Sequence, residues 1–431
     1  MQEKQNKTAL VWFKNNLRVR DNSALYEASS KHENCIAIYC FDPRDFELTE
    51  YGFKKTEKYR AQFLIQSVLN LKSNLANLNI NLLTYFKKPE DIIPILVSKY
   101  NIETIYTQKE WTPEEVNVLQ NVKNNLPNTI SIIENYDQFL YHPDDIKMDI
   151  NQIPEVFTNF RKHLEKNCLV RKDALSTRAN QDIIQIKQTT VPTLQDLGFE
   201  AFKMHTKTAF PFLGGEENAL KRLRNYFFET NKLGVYKKTR NGLIGADFSS
   251  KFSPWLANGS LSARTIYWEV KQFEKEHYNN DSTYWLVFEL IWRDYFKYIS
   301  LKHGHNIFKI HGILNRKYHW NVDQIHINNW INGTTTEPFV NANMIELKKT
   351  GWMSNRGRQN VASFFAKELE IDWRIGAAYF EAMLIDYDVH SNYGNWMYVS
   401  GVGNDPRDRK FNIKLQAERY DPKGKFQNIW L

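Results

Sequence analysis

Between Thr350 and Tyr398 the chain sets Trp352, Trp373, Trp396 and Tyr398 among Asn355, Arg356, Arg358, Asp386, Asp388 and Asn392. Oxidisable rings interleaved with charges and amides make an odd core but a suitable wall for a large flat redox cofactor. Helical spacing puts Asn355, Arg358 and Gln359 on one face, with Asp386 available to pair with Arg358. A buried pair of that kind can hold charge beside a ring system, while on an isolated helix the same spacing describes a solvated face. Trp320, Trp373 and Trp396 could relay electrons, although spacing alone favours plain core packing.

Other constellations carry chemistry and a simpler reading side by side. Glu289 and Trp292 share a helical face, with Arg293 four residues beyond Glu289. That suits a ring stacking on a base beside a carboxylate at its edge. It also suits a core Trp next to a Glu–Arg surface pair. Asp247 to Ser253 concentrates hydroxyls and backbone donors before Pro254, as a phosphate cradle or a serine-rich turn would. The tail from Asn404 to Lys425 interleaves Arg407, Arg409, Lys410, Lys414, Arg419 and Lys423 with Phe411 and Tyr420. It reads equally as a phosphate-contacting strip and as an ordinary charged surface. His303, His305, His311, His319 and His326 lack a matching Cys or carboxylate pattern, so no metal is expected. No G-x-S-x-G occurs, and GVGNDP at Gly401 is not a Walker loop.

The elements that must position these residues fall into two unlike halves. Only Trp12 and Trp111 precede residue 250, and the other ten tryptophans lie from Trp255 to Trp430. Short apolar runs at Ala9–Phe13, Ile36–Phe41, Leu82–Phe86, Ile102–Thr107 and near Ile130–Ile133 alternate with amphipathic stretches. In one of these, Ala61, Leu64, Val68, Leu71, Leu75 and Leu78 keep helical spacing, and Thr112-Pro113-Glu114-Glu115 reads as a capping box. This order predicts a doubly wound parallel sheet, Rossmann-like but without a G-x-G-x-x-G after its first strand. Residues 138–215 lose periodicity and read as a surface connector with a short helix near Val156–Lys166. Residues 216–431 read as all-α, with one helix capped by Asp281-Ser282 and ended by Gly304. Others are predicted from Ser354 to Leu369 and from Asp372 to about Ile385. The expected division is therefore 1–137, 138–215 and 216–431.

Composition narrows the class. A chain of 431 residues with an ordinary apolar fraction supports more than one core, and no stretch reaches a membrane span. The start, MQEKQNKTALVWF, is polar and then strand-like, unlike a signal peptide. Cys35, Cys40 and Cys168 are too scattered for a disulfide framework, which suits a reducing cytoplasm. The formal net charge of +8 is mild but fits a phosphate-bearing partner better than an acidic one. There is no internal repeat and no low-complexity tract.

Several long segments, in order, resemble the photolyase/cryptochrome family: VWFKNNLRVRDNSAL, YKKTRNGLIGADFSSKFSPWLANGSLS, DSTYWLVFELIWRDYFKYISLK, GWMSNRGRQNVASFF and LIDYDVHSNYGNW. The serine-containing segment, Tyr398 and the GVGNDPRDRKFN tail resemble the cryptochrome DASH branch in particular. The resemblance spans nearly the whole chain. It implies a non-covalent, bent FAD in the helical half, with Tyr236, Ser249, Ser250 and Ser253 at the phosphates. By the same resemblance Arg358, Asp386, Asp388 and Asn392 surround the flavin ring, and Trp396, Trp373 and Trp320 form a photoreduction chain. Glu289, Trp292, Asn355, Gln359, Tyr398 and Arg409 line the lesion pocket, with Arg356 near the nucleic-acid backbone. Glu110 sits where the family often contacts a pterin, so a methenyltetrahydrofolate antenna is expected in the α/β half.

The activity implied is light-driven splitting of cyclobutane pyrimidine dimers by electron transfer from excited FADH⁻, with Glu289 hydrogen-bonded to the dimer. Gln359 and Tyr398 are DASH-like choices where strong duplex repairers commonly have Met and Trp. The expected partner is accordingly single-stranded or looped DNA, met by a monomer. The alternative is a blue-light photoreceptor with regulatory nucleic-acid or protein binding and residual repair. A (6-4) photolyase is disfavoured, because that branch places His where this chain has Asn355. An end at Trp430-Leu431 without a signalling extension favours repair over the receptor.

Overall fold

The structure, a computed structural model, describes residues 8–172, 177–181 and 184–431. The polar opening stretch up to Lys7 and parts of the connector lie outside the described residues. Five strands, β1 (Thr8–Phe13), β2 (Asn34–Phe41), β3 (Asn81–Phe86), β4 (Ile102–Gln108) and β5 (Ser131–Asn135), form one parallel sheet in the order β3-β2-β1-β4-β5. Because helices cover both faces, the inner strands β1 and β2 read as continuous apolar runs rather than alternating ones. Ala9, Val11 and Phe13 pack with Leu25, Val68 and Leu71 from the helices Ser23–Lys31 and Lys58–Ala76. Leu10 and Trp12 pack oppositely, with Ile93, Leu96 and Val122 from Pro89–Lys99 and Pro113–Asn124. Strand order reverses beside β1, and in such sheets a crevice opens there at the carboxyl ends of the strands.

Three local expectations are corrected. Thr112 precedes the helix Pro113–Asn124 but makes no side-chain cap, because its hydroxyl donates to the Glu115 carboxylate instead. The long helix Asp281–His303 is capped by Asn280, one residue earlier than expected, in a reciprocal box with Thr283. The region after the sheet is more than a surface connector. Leu140, Ile153, Phe157, Phe160, Leu164 and Phe210 enter the core of the helical half. Asp294 of the long helix takes up the backbone N–H groups of Leu140 at 3.0 Å and Tyr141 at 2.8 Å.

From Glu216 onward the described chain is helical, with π-helical turns at Asn225–Glu229 and Phe364–Glu368. A buried polar seam joins it to the sheet. Arg18 donates to the backbone carbonyls of Gly259 at 2.9 Å, Asp21 at 2.7 Å and Asp137 at 3.1 Å. Asp21 accepts from Arg264 at 2.9 Å, and Glu216 accepts the N–H groups of Val19 and Arg20. Gly259, at φ +71°, lies so close to β1's exit that a Cβ there would stand 2.0 Å from the Asn15 carbonyl oxygen. Only glycine satisfies both that backbone conformation and that approach.

Candidate functional site

In the helical half, a cavity of about 740 Å³ adjoins a smaller one of about 110 Å³, and Asn355, Arg358, Gln359, Asp386 and Asp388 line both. Most of the walls come from Tyr236–Ser253, the Asp281–His303 helix, the Asn355–Ser363 helix and the segment from Asp386 through the Val389–Ser400 helix, with Trp352, Asp405, Arg409 and Phe411 adding to them. Ser354 caps its helix by accepting from the Gly357 N–H, and Asp388 caps the next by accepting from Ser391 at 2.8 Å. The helix starts therefore present Asn355, Arg358, Asp388 and Ser391 to one space.

The buried wall is built on ion pairs. Arg358 Nη2 donates to both oxygens of Asp386, at 2.9 and 3.0 Å, so of the two readings the sequence left open the pair is formed and the solvated face is not. Lys297 Nζ lies 2.8 Å from Asp388 Oδ2 with both side chains nearly excluded from water. Burial would raise the Asp388 carboxyl, yet Lys297, His390 and Arg293 hold it well below the usual carboxylate range. Asn392 and Trp396 line the smaller cavity, and the Asn392 amide donates to the Ala377 carbonyl. Trp396 is buried, and its indole N–H has no protein partner. Trp373 and Trp320 lie outside both cavity walls. A Cβ on Gly376, three residues after Trp373, would stand 2.3 Å from the Trp396 ring, so the two tryptophans' elements are in close contact. Trp320 precedes Asn321, which bridges to Ile371 and accepts from the Asp372 N–H immediately before Trp373.

The outer wall differs. Glu289 pairs with Arg240, not with Arg293, whose guanidinium is taken by the carbonyls of Gln138 and Leu256. Burial raises the Glu289 carboxyl even so. Phe157 stacks on Trp292 at 3.6 Å and 10°, covering one indole face, while Tyr398 meets Trp292 edge-on at 6.1 Å. Arg356 bonds Gln359 and Asn241 and lies over the Tyr420 ring at 4.6 Å. Arg409, exposed, reaches Asp405 at 3.4 Å.

Tyr236, Ser249, Ser250 and Ser253 line the larger cavity. Arg222 organises the serine turn by donating to the carbonyls of Ala246, Ser249 and Ser250 and to Asp247. Lys251 brings a buried cation to the same wall, over the Trp352 ring at 4.5 Å. A volume this size, with serine hydroxyls and a buried cation in one region and ion pairs beside an unpartnered indole N–H in another, fits a ligand combining phosphates with a flat polar ring.

Residues 9–179 match the family described as DNA photolyase, and residues 285–431 match the FAD binding domain of DNA photolyase. The cryptochrome DASH of Synechocystis sp. is 45% identical over 98% of this chain and 87% of its own. The chain belongs to the photolyase/cryptochrome family, in its DASH branch. The chloroplastic/mitochondrial cryptochrome DASH of Arabidopsis thaliana is 43% identical, over 98% of this chain and 75% of its own length. A solved Synechocystis cryptochrome superposes with a TM-score of 0.93 at 44% identity, covering 99% of this chain and 88% of that one. A class III photolyase from Agrobacterium tumefaciens shares the fold at a TM-score of 0.81 and 24% identity, over 99% and 86% of the two chains. An FAD-binding photolyase domain is thus present in this DASH member, and no helix among the described residues is long and apolar enough to cross a membrane.

Sequence reading missed Arg222, Arg240, Lys251, Phe157 and Lys297. Lys251 lay inside the serine run and was legible there as its one cation. The other four act through partners 25 to 135 positions away, and no spacing rule encodes such pairs.

Glu110 belongs to a separate cavity of about 410 Å³ between the halves, with Asn15, Phe41, Gln108, Lys297 and Tyr393. This is the crevice at the strands' carboxyl ends. Gln108 donates to Glu110 at 2.6 Å, while burial pushes the Glu110 carboxyl up to about 7.

Proposed function

We propose that this DASH member is a light-driven deoxyribodipyrimidine photolyase acting on cyclobutane pyrimidine dimers, chiefly in single-stranded or looped DNA. The observation that carries the proposal is one continuous space joining the ion-paired inner wall to an outer wall of Trp292, Glu289, Tyr398 and Arg356. Tyr236, Ser249, Ser250, Ser253 and Lys251 would hold the FAD phosphates, and Arg358, Asp386, Asp388 and Asn392 its ring. Bound FAD supplies light absorption and one-electron chemistry.

The protein's part is to orient and to exclude water. A dimer would lie against the open face of Trp292, with the Glu289 carboxylate, steadied by Arg240, hydrogen-bonding its edge. Asn355, Gln359 and Arg409 line the same space, and Arg356 would meet the backbone. Phe157 leaves Trp292 a single free face. Stacking returns ~1–3 kcal/mol per base, whereas extrusion from a duplex costs a few kcal/mol. These nearly cancel on intact duplex, and on a single strand the stacking term is left in surplus. Trp396, Trp373 and Trp320 would bring electrons inward. The cavity at Glu110 would take the pterin of a methenyltetrahydrofolate antenna. We assign the sheet region, 1–137, to that antenna, 138–215 to the connection and 216–431 to FAD and DNA. Free thiols at Cys35, Cys40 and Cys168 suit the cytoplasm, and we assign a monomer there.

The test is blue-light repair of a defined thymine dimer in single-stranded and duplex oligonucleotides by the reduced, FAD-loaded chain. Faster repair of the single strand is expected. Repair of neither substrate would refute the enzyme reading and leave the photoreceptor, and equal repair of both would refute the single-strand preference.

A further inference from the structure

Outward of Trp320 lies a cluster that the flavin and DNA sites do not use. The Tyr318 ring sits 5.7 Å from the Trp320 ring, edge-on at 73°. Its hydroxyl donates to Asp408 Oδ2 at 2.5 Å. Lys367 Nζ lies 2.5 Å from Asp408 Oδ1 and 4.6 Å from the centre of the Tyr318 ring. Arg316 approaches the carboxylate at 3.8 Å and the tyrosine oxygen at 3.5 Å. The arrangement is built closely: a Cβ on Gly401, at φ +81°, would stand 2.0 Å from Asp408 Oδ1 and 2.6 Å from Lys367 Nζ. Burial raises the Tyr318 phenol, so it enters any reaction protonated. Lys367 and its neighbours hold the Asp408 carboxyl low, so it enters ionised.

We propose that Tyr318 is a fourth redox residue beyond Trp320, giving an electron to the Trp320 radical cation and its phenolic proton to Asp408. The proposal rests on reading Trp396, Trp373 and Trp320 as the electron route. Trp320 is reduced to the neutral indole, Tyr318 is oxidised to the neutral tyrosyl radical, and Asp408 becomes a carboxylic acid. The half-exposed Asp408 then releases the proton to water. Lys367 over the ring opposes a charged tyrosyl, which couples loss of the electron to loss of the proton. The chemistry matters because it moves the oxidising equivalent to the surface and removes its charge, so return toward the cofactor needs a proton as well as an electron.

The experiment is electron paramagnetic resonance on the full chain loaded with oxidised FAD, frozen under illumination and prepared with ordinary or ring-deuterated tyrosine. A tyrosyl spectrum that narrows on deuteration is expected. Tyr318→Phe should convert it to a tryptophanyl spectrum, and Asp408→Asn should abolish the tyrosyl signal while FAD content is unchanged. A tryptophanyl signal alone in the unsubstituted chain, or a tyrosyl signal surviving Tyr318→Phe, would overturn the tyrosine step. Trp396→Phe should abolish every light-induced protein radical; a tyrosyl signal persisting there would overturn the route itself, and the step with it.

Discussion

Removing Lys297 alone should cost the fold more than removing it together with the charge of Asp388. The side chains are 3% and 12% exposed, and the ion pair closes at 2.8 Å. Lys297→Met leaves a buried carboxylate without its cation, a change worth about 3–5 kcal/mol. For the helical half unfolding as a cooperative unit of roughly 200 residues, that lowers Tm by about 6–20 °C. Asp388→Asn leaves the ammonium unpaired but keeps a side-chain oxygen to cap Ser391. The double variant has neither charge, and the two effects should fail to add by roughly 1–3 kcal/mol. Calorimetry on the FAD-free chain measures all three. The pH dependence has a defined sign. Asp388 folds with its carboxyl lowered, so its contribution is complete above about pH 4, where the unfolded carboxyl titrates, and is lost as pH falls below that. Asp388→Asn should remove that acid limb. FAD retention then separates fold from site: the double variant should regain stability but bind FAD more weakly than the unsubstituted chain. Additive losses in the double variant would refute the argument, because they would mean that the two charges do not compensate one another.

Trp292→Ala should weaken binding of dimer-containing single strands by roughly 5- to 150-fold, the ~1–3 kcal/mol of one stacked base. Fluorescence anisotropy measures this, and unchanged affinity would contradict the stacking role. Arg222→Met frees the carbonyls of the serine turn, and losing charge-assisted bonds there, roughly 1.5–3 kcal/mol each, should raise the FAD dissociation constant at least about tenfold by titration. An unchanged constant would mean the turn is rigid without Arg222. Glu110 has its carboxyl raised to about 7 in the fold, so the unfolded chain loses that proton first and stability falls as pH rises from about 4.5 to about 7. The loss is on the order of 3 kcal/mol, and Glu110→Gln should flatten it in pH-dependent unfolding of the ligand-free chain.

The inner strands were legible because helices cover both sheet faces, so a run such as Thr8–Phe13 is buried throughout and announces itself as an apolar block. The edge strand Ser131–Asn135 is only partly covered and showed through its two isoleucines. The pair Arg358–Asp386 was legible as chemistry, since both lay in one dense segment. Caps were less so: Asn280, Asp281 and Ser282 are all good cap residues, and only backbone geometry selects Asn280. The predicted helix from Ser354 to Leu369 hides a π turn at Phe364–Glu368, which no propensity marks. Phe157 illustrates the deeper limit. Its residue type and helix were readable, but its stack on Trp292 joins elements 135 positions apart, and only the packed chain decides which apolar side chains meet.

The seam at Arg18 has a consequence for light itself. Its guanidinium is spent on carbonyls of both halves, and Gly259 sits against β1 without space for a methyl group. A joint bonded and packed this closely resists hinging. Under the antenna proposal, a pigment in the Glu110 cavity, which both halves line, would keep one separation and one mutual angle relative to the FAD. Energy passing between two pigments so held would have an efficiency fixed at folding.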